Sequence, residues 1–306
     1  MRTLTWERGM ACLGPAAVAI GVFDGVHLGH QALIRDTVER ARAADVAAVV
    51  VTFDRDPDRV VSPETAAPQL LDLDDKLALI AEQGASAILL VPFDVEVAAM
   101  TPERFVREIL LVAVRPILAA VGFDFRFGRY AAGDVATLTS LGSANSFRVI
   151  AHDLVTADGL PVTSTRVRGM VASGDVARAA QLLGRPHRLR GRVVRGRGLG
   201  THLGVPTANL AVHHESAVPG DGVYAAFATV DGMRYPAAVS LGVPPTFPEA
   251  PAAIEAHLIG AATDFTGKAM LLEFIERLRG QRAFSSKDEL TAAINRDIEA
   301  IRRLLG

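Results

Sequence analysis

Residues 20–30 decide the fold and the site, and they read Ile20-Gly21-Val22-Phe23-Asp24-Gly25-Val26-His27-Leu28-Gly29-His30. The apolar run 16–20 enters this stretch, and a helical pattern with apolar residues at 33, 34, 38 and 41 leaves it. A strand, a glycine turn and a helix in this order aim backbone N–H groups and the positive end of a helix dipole at one point. The stretch therefore predicts a phosphate site whose chemistry is carried by two histidines. The alternative is a plain strand–helix turn with two ordinary histidines.

The composition limits the class of protein. The chain has 306 residues, half of them hydrophobic, which is enough for two domains with their own cores. The formal net charge of −2 gives no argument for binding to nucleic acid or to an anionic membrane. The single cysteine fits a reducing compartment, and no stretch approaches the ~20 apolar residues of a membrane span. We expect a cytoplasmic protein whose partners are small molecules, not nucleic acid or membrane; a homo-oligomer is left open.

Apolar runs alternate with helical patterns through the first half of the chain. Runs that are apolar on both faces are typical of strands inside a parallel sheet, and they lie at 46–53, 87–93, 117–125 and 147–154. One helix is predicted at 74–83. Another begins at Thr101 and Pro102, with Phe105, Ile109 and Val112 at helical spacing. This alternation predicts an α/β doubly wound parallel sheet, whose ligands bind beyond the carboxyl ends of the strands.

Three further stretches are expected near that edge. Residues 52–57, TFDRDP, end the second apolar strand. Residues 122–129, GFDFRFGR, follow a predicted strand and place phenylalanines beside a carboxylate and arginines, which suits an aromatic ring; the alternative is that these phenylalanines pack the core. Residues 163–168, TSTRVR, place hydroxyls and arginines at a predicted helix start, which suits a phosphate; the alternative is a plain helix cap.

The pattern changes near Gly184, so we predict two domains, residues 1–184 and 185–306. Short apolar runs at 223–230, 233–241, 254–259 and 269–275 follow without intervening helices, and Asp231-Gly232 between the first two is a strong hairpin signal. A last helix is predicted over 287–305, with an apolar stripe. The second half therefore predicts a small antiparallel β-barrel domain with a C-terminal helix.

The motifs carry a family resemblance. His27-Leu28-Gly29-His30 resembles the HxGH signature of the nucleotidyltransferases. Together with GVFDGVHLGH, GFDFRFG and TSTRVR in this order, it makes nearly the whole chain resemble the bifunctional riboflavin kinase/FMN adenylyltransferase (FAD synthetase) family. The resemblance implies that an N-terminal nucleotidyltransferase domain moves AMP from ATP to FMN, giving FAD and pyrophosphate. It also implies that the C-terminal domain phosphorylates riboflavin to FMN, and that both use ATP with Mg²⁺.

The resemblance also implies roles for individual residues. The catalytic residues of AMP transfer would be His27, His30 and Arg168. The ATP and phosphate contacts would be Gly21, Phe23, Asp24, Gly25, Gly29, Ser164 and Thr165. The flavin contacts would be Asp124, Phe125, Arg126 and Phe127. In the kinase domain, Thr207 and Asn209 of a PTAN stretch would bind Mg²⁺ and phosphates, and Glu255 would be the base on the ribityl hydroxyl; the alternative for Glu255 is a solvated strand carboxylate.

Several positions depart from the family pattern. Asp56 stands where the family often has histidine. In the glycine-rich loop before PTAN, Arg197, Leu199 and Thr201 replace an acidic residue and two arginines, and Pro244 replaces an Asn or Arg. Three alternatives to a fully bifunctional enzyme therefore remain at this point. They are an adenylyltransferase with a degraded or repurposed barrel, a paralogue that acts on another phosphorylated acceptor, and a non-catalytic flavin-binding protein.

Overall fold

A computed structural model of the protein describes residues 2–196, 205–243, 253–261 and 263–306. The chain divides into two compact units, Met1–Ser164 and Thr165–Gly306. This division falls earlier than residue 184, because the helix Val176–Leu183 contributes Val176 to the core of the second unit. The domain boundary at 184 stays a prediction.

The first unit is built on a six-stranded sheet. Its strands are β1 (Arg2–Thr5), β2 (Ala16–Ile20), β3 (Ala47–Phe53), β4 (Ala87–Val91), β5 (Pro116–Gly122) and β6 (Arg148–His152). Every pair is parallel, and the spatial order is β1-β4-β3-β2-β5-β6. A short antiparallel pair follows, β7 (Thr156–Ala157) and β8 (Leu160–Pro161). The predicted doubly wound parallel sheet is confirmed.

Helices connect the strands of the first unit. They are α1 (Leu28–Ala43), α2 (Asp58–Val61), α3 (Leu73–Glu82), α4 (Val95–Ala98), α5 (Pro102–Phe105), α6 (Leu111–Ala113) and α7 (Val135–Ala144). Two 3-10 turns lie at Pro63–Thr65 and Arg129–Ala131. The helix α8 (Ser164–Ser173) begins at the last residue of this unit.

The sheet is buried on both faces, which explains the continuous apolar runs. In β2 all five residues are buried; Val18 and Ile20 belong to one core cluster, and Ala17 and Ala19 belong to the other. The strand order reverses between β2 and β5, because β3 and β4 follow on one side and β6 lies on the other. A reversal of this kind opens a crevice beyond the carboxyl ends of the two strands.

One predicted strand end was wrong, and one predicted helix is irregular. The run 117–125 is a strand only to Gly122, because the Phe125 N–H donates to the Gly122 carbonyl (3.1 Å) and closes a turn. In the second predicted helix, Phe105 and Ile109 are buried, whereas Val112 is 43% exposed. A wide π turn, Val106–Leu110, joins α5 to α6 and rotates the later residues, so that Leu110 and Ala113 face the core instead.

The second unit contains a closed barrel. Its strands are β9 (His187–Val194), β10 (Ala208–Val212), β11 (Gly222–Val230), β12 (Met233–Gly242), β13 (Ala253–Leu258) and β14 (Ala269–Arg279). They close in the order β10-β13-β12-β11-β14-β9, and every pair is antiparallel. The helices are the rest of α8, α9 (Val176–Leu183) and α10 (Lys287–Leu305). The predicted barrel with a C-terminal helix is confirmed.

Local signals explain how the barrel closes. Asp231 (φ 49°) and Gly232 (φ 80°) both lie in the left-handed region, as a two-residue hairpin turn requires. Ser286 caps α10 by accepting the Glu289 N–H at 3.2 Å, and Ile301 packs with Ala225 of β11. Among the described residues, no helix is both long and apolar enough to cross a bilayer.

One buried histidine links the stability of the barrel to pH. The side chain of His187 is fully buried in β9, and its Nε2–H donates to the Ala217 carbonyl at 2.8 Å. Burial lowers the pKa of His187 from 6.5 to about 4. The unfolded chain therefore binds a proton that the folded chain refuses between these two values, and stability declines as the pH falls through this window.

We expect His187→Gln to weaken this acid sensitivity, because the amide still donates to Ala217 but does not titrate. The wild type should lose on the order of 3 kcal/mol more of its free energy of unfolding than the variant between pH 7 and pH 4. Urea unfolding followed by circular dichroism at several pH values measures the difference. Equal pH slopes in the two proteins would contradict the assignment.

Candidate functional site

The two histidines of the first unit lie at the start of α1. His27 is the N-cap residue, and its Nδ1 accepts the backbone N–H of His30 at 3.3 Å. The two rings stack with centroids 3.6 Å apart, and the ring of Phe23 meets His30 edge-on at 5.2 Å. A Cβ at Gly29 would lie only 3.2 Å from the His27 ring. The structure thus brings the predicted histidine pair together at the switch point, with a histidine in a role usually filled by Ser, Thr, Asp or Asn.

The turn that precedes the histidines is strained. Phe23 (φ 55°), Gly25 (φ 81°) and Val26 (φ 39°) all have positive φ, and this conformation is costly for a β-branched residue such as valine. Glycine at 21 leaves room for the Phe23 ring, because a Cβ there would make a tight contact of 3.0 Å with it. Such strain persists only where the surroundings fix the backbone.

Asp24 is one of the groups that fix this turn. Its side chain is buried, and both carboxylate oxygens accept the Leu70 N–H, at 3.0 and 3.1 Å. The Ser164 hydroxyl donates to the Asp24 carbonyl at 2.8 Å. These contacts give Asp24 and Ser164 a structural role that the sequence did not indicate. Phosphate contacts by Asp24, Ser164, Thr165 and Arg168 stay predictions.

The predicted flavin loop follows β5 and divides into buried and exposed parts. Phe127 is buried, and its ring centroid lies 5.8 Å from that of Phe105. It therefore packs in the core, which is the alternative stated above for the phenylalanines of this stretch. Phe125 is half-buried and stacks on Phe127 at 5.3 Å. Asp124 and Arg126 are exposed. Flavin binding by these four residues stays a prediction.

One exposed aromatic was not singled out from the sequence. Phe123 is 67% exposed directly beyond β5, although it stands in the same GFDFRFG stretch. Its position in the motif was the available signal. Because β5 is the neighbour of β2 in the sheet, its carboxyl end and the histidine turn lie at the same edge.

A polar pocket lies at the carboxyl ends of β2 and β3. It encloses about 270 Å³, counting space open to solvent, and its lining residues are Val22, Asp24, Asp54, Asp56, Gln69, Leu71, Leu73 and Lys76. Burial acts to raise the pKa of Asp54, but hydrogen bonds from Arg55 and from the Phe93 N–H outweigh it and hold the pKa below its usual range. Asp56, the departure from the family pattern, stands in this lining.

Lys76 was missed as a functional candidate. It is buried in the first turn of α3, and burial lowers its pKa to about 8, although nearby carboxylates act in the opposite direction. The available signal was its rarity, because it is the only lysine before Lys268.

In the barrel, the structure brings together two of the predicted kinase residues. Asn209 of β10 lies directly opposite Glu255 of β13, and Glu255 lies opposite Ser240 of β12. Their neighbours Leu210 and Ala256 are in the barrel core, so this row lies on the outer face. Asn209 and Glu255 are half-buried.

The backbone at Gly196 lies close to this row. The oxygen atoms of the neighbouring side chains are of the kind that a hard cation prefers. A Cβ at Gly196 would overlap the Asn209 amide, so only glycine allows this approach. The Thr207 hydroxyl and the Asn209 amide offer oxygen donors of the kind that Mg²⁺ prefers. Within the described ranges, there is no cluster of three or more His, Cys, Asp or Glu residues able to hold a metal. Arg197, Leu199, Thr201 and Pro244 lie outside the described residues.

A histidine-capped helix at the switch point of an α/β unit suits a phosphate ligand, and the amide–carboxylate pair of the barrel suits a metal and a base, so the two units together suit an enzyme that transfers phosphate groups. Residues 10–166 match a family model described as FAD synthetase, and residues 183–305 match one described as riboflavin kinase. The chain belongs to the bifunctional riboflavin kinase/FMN adenylyltransferase family, as the resemblance predicted.

Relatives match over nearly the whole chain. The bifunctional riboflavin kinase/FMN adenylyltransferase of Pseudomonas fluorescens is 37% identical over 302 residues, which is 97% of this chain and 96% of the relative. That of Escherichia coli K12 is 34% identical, covering 94% and 92% of the two chains. A crystal structure described as a macrolide-efflux protein from Streptococcus pneumoniae has a TM-score of 0.88 at 27% identity, covering 99% of each chain. The likeness to that structure supports the fold.

Substituting Asp24→Asn should destabilise the first unit by about 1–3 kcal/mol, because an amide donor would replace one of the carboxylate oxygens that accept the buried Leu70 N–H. Urea unfolding at neutral pH measures the change. Asp45→Asn is the matched control, since Asp45 is exposed and has a left-handed backbone (φ 50°) that asparagine also tolerates. Equal stability of the two variants would contradict the proposal that the Asp24 carboxylate holds the turn through the Leu70 N–H.

Proposed function

We propose that this enzyme makes FAD from riboflavin in two ATP-dependent steps, phosphorylation in the barrel unit and adenylylation in the α/β unit. The observation that carries the proposal is the match of both halves of the chain to the two family models, with relatives aligned over nearly the full length. The histidine turn and the Asn209–Glu255 pair support it, because each supplies chemistry that one of the two steps needs.

Adenylyl transfer needs no protein nucleophile. A phosphate oxygen of FMN attacks the α-phosphorus of ATP, the bond to the β-phosphate oxygen breaks, and pyrophosphate leaves with the bonding electrons. The reaction brings two polyanions together, so positioning and charge stabilisation supply the rate. In our proposal, His27, His30 and the first N–H groups of α1 stabilise the developing charge, and Arg168, Ser164 and Thr165 bind the phosphates.

Riboflavin phosphorylation needs a base. The terminal ribityl hydroxyl attacks the γ-phosphorus of ATP, its proton passes to the Glu255 carboxylate, and ADP leaves. In our proposal, Thr207 and Asn209 hold Mg²⁺, which when bound neutralises phosphate charge. Asn209 faces Glu255 across the β10–β13 pair, which supports the proposal that the metal-binding residue and the base act on the same substrate.

The alternatives are less well supported. An adenylyltransferase with a degraded barrel was suggested by positions 197, 199, 201 and 244, but residues 183–305 still match the riboflavin kinase model. The bifunctional relatives span the whole chain, which argues against a paralogue that uses another acceptor and against a non-catalytic binder. A cytoplasmic location is part of the proposal and is supported by the single cysteine. A homo-oligomer stays open.

The two activities should separate by mutation. We expect His30→Ala to lower FAD formation from FMN on the order of 100-fold or more while FMN formation from riboflavin is kept, because only the first reaction uses the histidine turn. Glu255→Gln should do the reverse. Each variant serves as the other's control, with products resolved by chromatography after incubation with Mg-ATP. If both activities fell together in a folded variant, the division of labour would be wrong.

The metal requirement of the kinase should depend on Asn209. We expect Asn209→Ala to raise the Mg²⁺ concentration for half-maximal FMN formation by roughly tenfold, because one oxygen donor is lost. Asn295→Ala, the same change on the exposed face of α10, should leave that concentration unchanged. Titrating Mg²⁺ at fixed ATP measures it. An unchanged requirement in Asn209→Ala would remove this residue from the proposed metal site.

A further inference from the structure

One buried ammonium joins the carboxyl ends of two neighbouring strands. Lys76 Nζ donates to the Phe53 carbonyl, the last residue of β3, at 2.6 Å and to the Val22 carbonyl, just beyond β2, at 3.4 Å. The Val22 carbonyl also accepts the hydroxyl of Thr52, a fully buried residue of β3, at 3.1 Å. Both carbonyls lie where the strands end, and a buried carbonyl needs a hydrogen-bond donor. The side chains of Lys76 and Thr52 supply these donors.

The residue held by these bonds stands next to the catalytic turn. Val22 is tethered by Lys76 and Thr52, and Asp24 is tethered by the Leu70 N–H. Phe23 lies between these two fixed points with φ 55°, and its ring meets His30 edge-on at 5.2 Å. A displacement of the Val22 backbone would therefore move Phe23, whose backbone has little freedom, and with it the ring that contacts His30.

We infer that Lys76 is a positioning residue for adenylyl transfer: its ammonium fixes the Val22 and Phe53 carbonyls, and so holds the left-handed turn that presents His27 and His30. This inference rests on the proposed function of the first unit. Burying an ammonium is expensive, and a methionine would fill the same space without that cost. Of the two side chains, only the ammonium of Lys76 can donate hydrogen bonds to the Val22 and Phe53 carbonyls, which a methionine would leave without this donor.

The charge state of Lys76 gives the inference a distinctive readout. The groups that face it are the carboxylates of Asp24 from the turn after β2 and of Asp54 and Asp56 from the loop after β3. The start of its own helix carries Asp72 at the N-cap and Asp74 and Asp75 in the first turn. Burial lowers the pKa of Lys76 to about 8, and the three facing carboxylates oppose this shift. Above that pH the amine is neutral, and its bonds to the carbonyls weaken because charge-assisted hydrogen bonds are the stronger ones.

The experiment measures kcat and KM for FMN adenylylation by the full chain between pH 6.5 and 9.5. Lys76→Met should lower kcat at least tenfold at pH 7 with KM for ATP and FMN within about threefold, because a small displacement of catalytic groups costs mainly transition-state stabilisation. Lys76→Arg keeps the charge at every pH. It should recover activity over Lys76→Met and lose the decline above pH 8 that the wild type shows.

Matched variants separate positioning from general destabilisation. Thr37→Val removes another buried hydroxyl that donates to a backbone carbonyl in the same unit, Leu33 at 2.8 Å, and should leave kcat within twofold of wild type. Thr52→Val removes only the second donor to Val22, so it should lower kcat by less than Lys76→Met and in the same direction. It serves as the test if Lys76→Met does not fold. Riboflavin kinase activity of each variant should stay at the wild-type value.

The outcomes distinguish the two levels of the argument. A wild-type enzyme that makes no FAD from FMN would overturn the proposed function itself. If the wild type makes FAD, three results would overturn the role of Lys76: full activity in folded Lys76→Met and in Thr52→Val, an equal loss of kcat in Thr37→Val, or an alkaline decline that persists unchanged in Lys76→Arg.

Discussion

Every residue of β2 is buried between two core clusters, so the chain first leaves the core at the turn that begins with Gly21. That turn must reverse direction within a few residues and start α1, and it does so through positive φ angles at Phe23, Gly25 and Val26. The rest of the first unit depends on fixing this costly backbone. Thr52 of β3, Lys76 of α3 and Ser164 at the start of α8 each donate to a backbone carbonyl of the turn. The turn's own Asp24 side chain accepts the Leu70 N–H and so ties the turn to a distant segment.

The barrel solves a different problem by different means. Its antiparallel strands have one face in the core and one outside, so residues of adjacent strands meet in rows across the sheet. Asn209, Glu255 and Ser240 form one such row on the outer face. The proposed kinase site of this unit therefore depends on strand register, whereas the proposed site of the first unit depends on a turn at a strand end. A one-residue slip of β10 or β13 would send Asn209 or Glu255 into the core.

Several features were predictable because they depend on neighbours in the chain. The apolar runs predicted which segments are strands, the cap Thr101 marked a helix start, and Asp231-Gly232 marked the hairpin. The structure departs from the local pattern at two places. The π turn Val106–Leu110 breaks the regular helical spacing and leaves Val112 exposed. Phe127 packs against Phe105 in the core, a contact that the sequence did not indicate, while its flavin contact stays a prediction.

The sequence by itself determined the two folds, the family, and the position of His27 and His30 at a strand–helix turn, because periodicity, glycines and motif spacing are local. Only the tertiary structure decided which side chains hold that turn. Asp24 and Leu70 are 46 residues apart, and Lys76 and Val22 are 54 apart. A buried lysine looks the same in sequence as a solvated one, and its role follows only from the carbonyls that the fold brings to it. The pairing of Asn209 with Glu255 likewise required barrel closure, since strand register is set by the packing of the whole sheet.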